Sequence, residues 1–281
     1  MARGSGGAFM SVFSRIRAAA KSWAYREALQ HFDEQGYVIF RSAVSAELIE
    51  RFWDRVESHI AGNDDLTLGL RGKLMKRGEL EGEAYEARKL RITDIEVHEP
   101  LAPALFLHPV ISGFLTARYG LRPTAIQTLT YKFSSEQGAH SDYHLVSPRS
   151  VGPDYDRASL AASWVACERA DQGNGNLIIY PGSHRLAKKR LKEDFDGDYA
   201  AYRSYLEALC AANGIKPERF DADQGDILLW HGDFIHAGGP IRDEGRTRRS
   251  LVTHYCRLPA HLPSLHPERS RRETAEGWYF A

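Results

Sequence analysis

Residues 125–142 read AIQTLTYKFSSEQGAHSD. Ala125 to Phe133 is rich in β-branched and aromatic side chains and predicts a strand. A polar loop, Ser134 to Ala139, follows, and the stretch ends on His140-Ser141-Asp142. Side chains of an extended chain alternate sides, so His140 and Asp142 share a face and can converge on one ion. A third ligand can then come from a distant strand of a closed β core. The tripeptide alone decides nothing, because a chain with 12 histidines produces it by chance. It occurs three times: here, at His31-Phe32-Asp33, and at His231-Gly232-Asp233. His31 and Asp33 fall where a helical pattern ends, and a helix turns positions i and i+2 about 200° apart. His231 and Asp233, with His236, are the real competitor, although three ligands within six residues must wrap one tight loop around the ion.

Downstream of residue 142 the chain is a series of strand-like runs. Leu160 to Cys167, Asn176 to Tyr180, Asp226 to Trp230 and Ser250 to Cys256 are separated by turn clusters such as Asp223-Gln224-Gly225-Asp226. Upstream, a helix ends near Phe32, Gly36 makes a turn, and Tyr37 to Phe40 is a short strand. Ser45 then caps a helix whose apolar face is Leu48, Ile49, Phe52, Trp53 and Val56. Residues 61–89 are polar, glycine-rich and charged without periodicity, and read as a lid or surface loop. Leu90 to Val97 predicts another strand, and residues 186–214 a helical insertion carrying Tyr199, Tyr202, Leu206 and Leu209. Helices first and many short strands after predict a barrel-like or sandwich β core faced by helices. Residues 1–281 are expected to form a single domain, with 1–30 as an N-terminal helical extension.

A guanidinium near the distant histidine adds chemistry that a lone metal site lacks. His236 lies just beyond a strand and before Ala237-Gly238-Gly239-Pro240, a flexible exit. Arg248 follows twelve residues later, at the start of the last long strand. Alternation puts Arg248 and Ser250 on one face and Arg249 and Leu251 on the other. Such a face can clamp a carboxylate in two parallel hydrogen bonds with a hydroxyl as a third. Two histidines and one carboxylate on one side of an octahedral iron leave positions open for substrate and O₂.

Lys plus Arg, 37, balances Asp plus Glu, 37, which disfavours nucleic acid or an anionic membrane as partner. The uncharged run from Pro100 to Ala117 is interrupted by Pro103, Pro109 and Gly113, so a buried helix is expected rather than a membrane span. Cys167, Cys210 and Cys256 match neither a zinc spacing nor a disulfide framework, and point to a reducing, cytoplasmic compartment. The first 26 residues lack acids, as in a transit peptide, yet Val12, Phe13, Ile16, Ala20 and Trp23 also fit an amphipathic helix.

Several motifs in order carry a family resemblance. They are Phe32-Asp33-Glu34-Gln35-Gly36-Tyr37-Val38-Ile39 before a Ser-capped helix, His140-Ser141-Asp142, Ser163-Trp164-Val165-Ala166-Cys167-Glu168, Asn174-Gly175-Asn176-Leu177, Pro181-Gly182-Ser183-His184, Gly225-Asp226-Ile227-Leu228-Leu229-Trp230-His231-Gly232, and His236 with Arg248. From about Phe32 to Tyr255 the chain resembles the phytanoyl-CoA dioxygenase family of Fe(II)/2-oxoglutarate-dependent oxygenases. The resemblance implies a double-stranded β-helix, a jelly-roll or cupin-like core with the N-terminal helices on one sheet. It implies that His140, Asp142 and His236 bind Fe(II), that Arg248 with Ser250 holds the tail of 2-oxoglutarate, and that Gln127 and Trp164 line that pocket. It further implies that O₂ is consumed, that succinate and CO₂ are released, and that a C–H bond of a small-molecule substrate is hydroxylated or otherwise oxidised. Relatives that halogenate carry a small residue where this chain has Asp142, which favours hydroxylation. Two features depart from the pattern: Ile241 stands where an Asn is common, and a shifted arginine spacing leaves Arg246 as a rival to Arg248. Tyr143, His144 and Ser147 are substrate-side candidates. A non-catalytic binding protein and a metallohydrolase on the same core are the alternative readings.

Overall fold

The N-terminal layer is set by two pieces of local chemistry. Helix α1 (Arg26–Gln35) stops where Gly36 takes the left-handed conformation at φ 84° and donates its N–H to the Phe32 carbonyl at 2.8 Å. A side chain at 36 is excluded by space as well, because a Cβ there would lie 2.5 Å from His184 Nδ1. After β1 (Tyr37–Phe40), the Ser45 hydroxyl accepts the Leu48 N–H and caps α2 (Ala46–Gly62), which buries Ile49, Phe52, Trp53 and Val56. The uncharged stretch breaks at Pro109 into α3 (Ala102–Phe106) and α4 (Pro109–Tyr119), since proline has no N–H to continue a helix. The structure, a computed structural model, describes residues 24–70, 73–80, 90–146, 159–257 and 269–281. Among these, no helix is long and apolar enough to cross a membrane. The apolar pattern from Val12 to Trp23 lies outside the described residues.

The large sheet joins β1 to β2 (Thr67–Leu70), β3 (Lys73–Lys76), β4 (Arg91–Thr93), β5 (Thr124–Tyr131), β6 (Ala161–Ala166), β9 (Ile227–His231) and β11 (Ser250–Cys256). Their spatial order is β1-β9-β6-β11-β5-β4-β2-β3, and a C-terminal hairpin, β12 (Arg271–Glu273) and β13 (Trp278–Phe280), adds to β5. A smaller antiparallel sheet has the order β10-β7-β8, from β7 (Leu177–Ile179), β8 (Glu218–Phe220) and β10 (His236–Gly238). Alternation sorts the large sheet's side chains into two cores. Ala161, Val165, Ile227, Leu229, Leu251 and Tyr255 pack with Phe32, Phe52, Trp53, Phe106 and Phe114 of the helices. Ala162, Trp164, Leu228 and Trp230 pack instead with Leu177, Ile179 and Phe220 of the small sheet. Helices, large sheet and small sheet thus form successive layers, which is the helix-faced double-stranded β-helix expected of the sequence.

Two segments differ from the sequence reading in detail. The 61–89 stretch contains the β2–β3 hairpin, which extends the large sheet at its edge. The alternation is unreadable there because Lys73, Leu74 and Lys76 of the edge strand are all exposed. Residues 71–72 and 81–89 lie outside the described part. The 186–214 segment carries α5 (Leu191–Phe195) and α6 (Tyr199–Ala212), the latter capped by Asp198 and packing Tyr202, Leu206 and Cys210 with Ile235.

Under β5 lies a buried acid with a measurable consequence. Glu96 Oε2 accepts the Thr128 hydroxyl at 2.5 Å, and neighbouring Asp94 pairs with Arg269 at 2.9 Å. Burial, then the charge of Asp94, raises the Glu96 pKa from 4.5 to about 8. A raised acid favours folding while protonated, so its contribution is complete below the unfolded value and is lost as pH rises through the folded one. The denaturant midpoint is therefore expected to fall between pH 5 and pH 8.5, and Glu96→Gln to flatten that fall. Equal slopes in the two proteins would exclude Glu96 as the titrating group.

Candidate active site

A pair of backbone hydrogen bonds brings the two distant histidines together. His140 and His236 form an isolated antiparallel bridge, each donating its N–H to the other's carbonyl at 3.0 Å. Their rings are 4.3 Å apart at the centroids. His140 Nδ1 lies 2.8 Å from the Gly138 carbonyl and His236 Nδ1 3.1 Å from the Phe234 carbonyl. A carbonyl oxygen can only accept, so each Nδ1 carries the hydrogen and each Nε2 keeps its lone pair. Asp142 Oδ1 stands 3.8 Å from His140 Nε2 and 3.7 Å from His236 Nε2. These separations are too long for hydrogen bonds, and two donors about 2.1 Å from one ion can lie that far apart.

Protonation favours ligation as well. Burial, with the neighbouring His236, pushes His140 down to about 3, and burial lowers His236. Burial alone would raise Asp142, but His236 and His254 hold it below the usual carboxylate range. Two neutral imidazoles and one ionised carboxylate are the state in which such a set can hold a cation. Among the described residues it is the one cluster of three His, Cys, Asp or Glu whose ligand atoms group closely enough to hold a metal ion.

Arg248 enters the same cavity of about 410 Å³, whose walls include Gln127, Trp164, Trp230, His254 and Arg91. Its N–H donates to the Lys132 carbonyl at 2.8 Å, which seats the start of β11 against β5. The side chain is 3% exposed, and its Cζ lies 5.5 Å from the centre of the Trp164 ring. Among the described residues, Nε and Nη1 have no hydrogen-bond partner. Burial lowers its pKa to about 10, so the group stays charged at neutral pH. A buried guanidinium with orphaned donors fits a planar, doubly accepting anion such as a carboxylate. Ser250 is fully buried on the same face with its hydroxyl unpartnered among the described residues, although it does not itself line the cavity.

The competing readings place their residues elsewhere. His31 is exposed, and Asp33 pairs with Arg118 at 2.6 Å. His231 packs near Phe32 and His184, and its Nδ1 accepts the Asp233 N–H, so the local His231/Asp233/His236 cluster does not assemble. Arg246 makes two hydrogen bonds to Asp171, at 2.9 and 3.0 Å, outside the cavity. Arg249 points to the other side of the sheet, beside Trp53 and Glu57. Tyr143 is buried with Ile126 and Leu160 and does not line the cavity, whereas Leu145 and Val146 do. The His144 side chain and Ser147 lie outside the described residues. Sequence reasoning passed over Trp230, His254 and Arg91. Counting inward positions from Arg248 along β11 reaches 250, 252 and 254, so alternation alone could have found His254.

The profile of the phytanoyl-CoA dioxygenase family matches residues 32–250. The chain is 24% identical to the peroxisomal phytanoyl-CoA dioxygenase of Rattus norvegicus over 240 residues, covering 82% of this chain and 67% of that one. It is 20% identical to the 1-deoxypentalenic acid 11-beta-hydroxylase of Streptomyces exfoliatus, covering 76% and 75%. Among solved structures, the epimerase SnoN in complex with Fe3+, alpha ketoglutarate and nogalamycin RO superposes with a TM-score of 0.63 at 15% identity, covering 92% of this chain and 98% of that one. EctD from S. alaskensis, with 2-oxoglutarate and 5-hydroxyectoine, gives 0.59 at 16% identity, covering 91% and 79%.

Proposed function

The chain belongs to the phytanoyl-CoA dioxygenase family, and from that premise we propose that it is a non-haem Fe(II)/2-oxoglutarate-dependent dioxygenase that oxidises a C–H bond of a small molecule. In this reading His140, Asp142 and His236 hold the iron, and Arg248 binds the distal carboxylate of 2-oxoglutarate. The observation that carries it is the coincidence, in one cavity, of that trio with a buried guanidinium whose Nε and Nη1 lack partners among the described residues.

Iron and 2-oxoglutarate, when bound, would supply the redox chemistry: O₂ is the oxidant, taking two electrons from 2-oxoglutarate as it becomes succinate and CO₂ and two from the substrate. Each of this chain's own residues has a simpler task. His140 and His236 present Nε2 lone pairs in a fixed tautomer, because the Gly138 and Phe234 carbonyls hold the Nδ1 hydrogens. Asp142 supplies negative charge. Arg248 orients the cosubstrate through a forked pair of hydrogen bonds and excludes cosubstrates that lack a second carboxylate. Trp164 gives the guanidinium an aromatic face, and Gln127 offers an amide on the same wall. Leu129, Leu177 and Val252 keep that part of the cavity apolar and dry. Three buried, unpaired cysteines support a reducing, cytoplasmic setting.

Succinate release by the full chain, measured with Fe(II), 2-oxoglutarate and air, tests this reading. Formation should require all three and stop under argon. Succinate that appears without O₂, or turnover of a hydrolysable ester without 2-oxoglutarate, would overturn it.

A further inference from the structure

Asp142 has two oxygens, and the structure gives them different neighbours. Oδ1 faces both histidine Nε2 atoms. Oδ2 accepts the Trp230 indole N–H at 2.6 Å and lies 3.5 Å from His254 Nε2. Trp230 and His254 are both 2% exposed. An indole N–H can only donate, so at this depth it needs an acceptor, and Oδ2 is the one it has. His254 Nδ1 has no partner among the described residues. Nε2 is therefore the ring nitrogen that faces the carboxylate and can donate to it.

Sheet register explains how two large side chains reach one oxygen. Trp230 of β9 pairs with Ala162 of β6, and Ala162 pairs with His254 of β11. The three residues form one row across adjacent strands. Strands are about 4.8 Å apart, so the outer two backbones stand roughly 9.6 Å from each other. The methyl of Ala162, fully buried between them, leaves room for both rings above it.

We propose that Trp230 and His254 are positioning residues that hold Asp142 Oδ2, so that the carboxylate offers only Oδ1 toward the two histidines. The inference rests on the metal reading given above. A carboxylate free to rotate could give both oxygens to an ion and occupy a position that the cosubstrate or O₂ needs. With Oδ2 engaged, one oxygen binds and the other stays on the indole.

The test follows the Trp230 indole N–H by ¹⁵N NMR in the full chain, assigned with Trp230→Phe, while diamagnetic Zn(II) is added. Shifts of the His140 and His236 ring nitrogens show that the ion has bound. The Trp230 N–H is expected to stay strongly hydrogen-bonded and slow to exchange at saturation, and to move toward a free indole in Asp142→Ala, which removes its acceptor. In parallel, Trp230→Phe and His254→Phe should weaken Fe(II) binding in anaerobic titration by about 10–100-fold, the usual range for lost outer partners of a ligand. They should also alter the charge-transfer absorption of the Fe(II)–2-oxoglutarate complex. An indole N–H released on Zn(II) saturation overturns the proposal. So does Trp230→Phe with wild-type Fe(II) affinity and spectrum. Zn(II) that leaves His140 and His236 unshifted would refute the metal reading itself, a distinct outcome. The Zn(II) titration itself reads the unaltered protein, in which the Trp230 N–H can also be assigned through its proximity to the His236 ring, so the measurement holds even if a variant does not fold.

Discussion

Asp142→Ala is expected to lose Fe(II) binding by a factor on the order of 10²–10⁴, and succinate formation with it. The carboxylate is the one negative group among the three donors, and removing one partner of a buried charge pair costs roughly 3–5 kcal/mol. Asp233→Ala is the matched control. It removes the carboxylate of the rival local cluster, whose N–H meets His231 rather than the cavity, and should bind Fe(II) as the unaltered chain does. Anaerobic Fe(II) titration of both variants decides between the two carboxylates. Affinity kept in the first and lost in the second would move the metal to the 231–236 loop. Asp142→Asn, nearly the same shape without the charge, separates loss of ligation from loss of packing around Trp230 and His254.

Arg248→Met should produce two effects of opposite sign. The dissociation constant for 2-oxoglutarate is expected to rise by about 10²–10³-fold, since the variant leaves the cosubstrate's distal carboxylate without its forked donor. Fe(II) affinity without cosubstrate should change little. The cosubstrate-free protein should at the same time become more stable. Burial that lowers the arginine to about 10 corresponds to a cost on the order of 3 kcal/mol for the charged form. Loss of the contact with Trp164 offsets about 1–2 of these, leaving a net gain of about 1–2 kcal/mol and a rise in Tm of a few degrees. Thermal unfolding with and without 2-oxoglutarate measures both, because a ligand that binds only the folded state raises Tm in proportion to its affinity. An unchanged dissociation constant would dismiss Arg248 as the clamp. A lower Tm without cosubstrate would show that the guanidinium is satisfied inside the fold.

The strands at Thr124–Tyr131, Ala161–Ala166, Ile227–His231 and Ser250–Cys256 were legible because they are buried on both faces or alternate cleanly. Periodicity is local, so a short window carries it. The β2–β3 hairpin was hidden because an exposed edge places charged and apolar side chains on the same solvated surface. Strands of three residues, such as β8 and β12, span a single alternation, too little for a pattern to stand out.

The sequence by itself determined the helix-faced β core, the His140/Asp142 pair on one face, and the alternation that sends Arg248 and Arg249 to opposite sides. Each follows from spacing within one segment and the fixed geometry of strand or helix. Tertiary structure decided which of three His-x-Asp pairs meets a distant histidine, through the bridge between His140 and His236. It also decided which arginine stays unpaired: Asp171 lies within reach of Arg246, and no acid pairs with Arg248 among the described residues. The row Trp230, Ala162 and His254 belongs to the same category, because it exists only once β9, β6 and β11 are in register. Contacts between residues remote along the chain depend on how the sheets pair and close, and no local pattern encodes that distance.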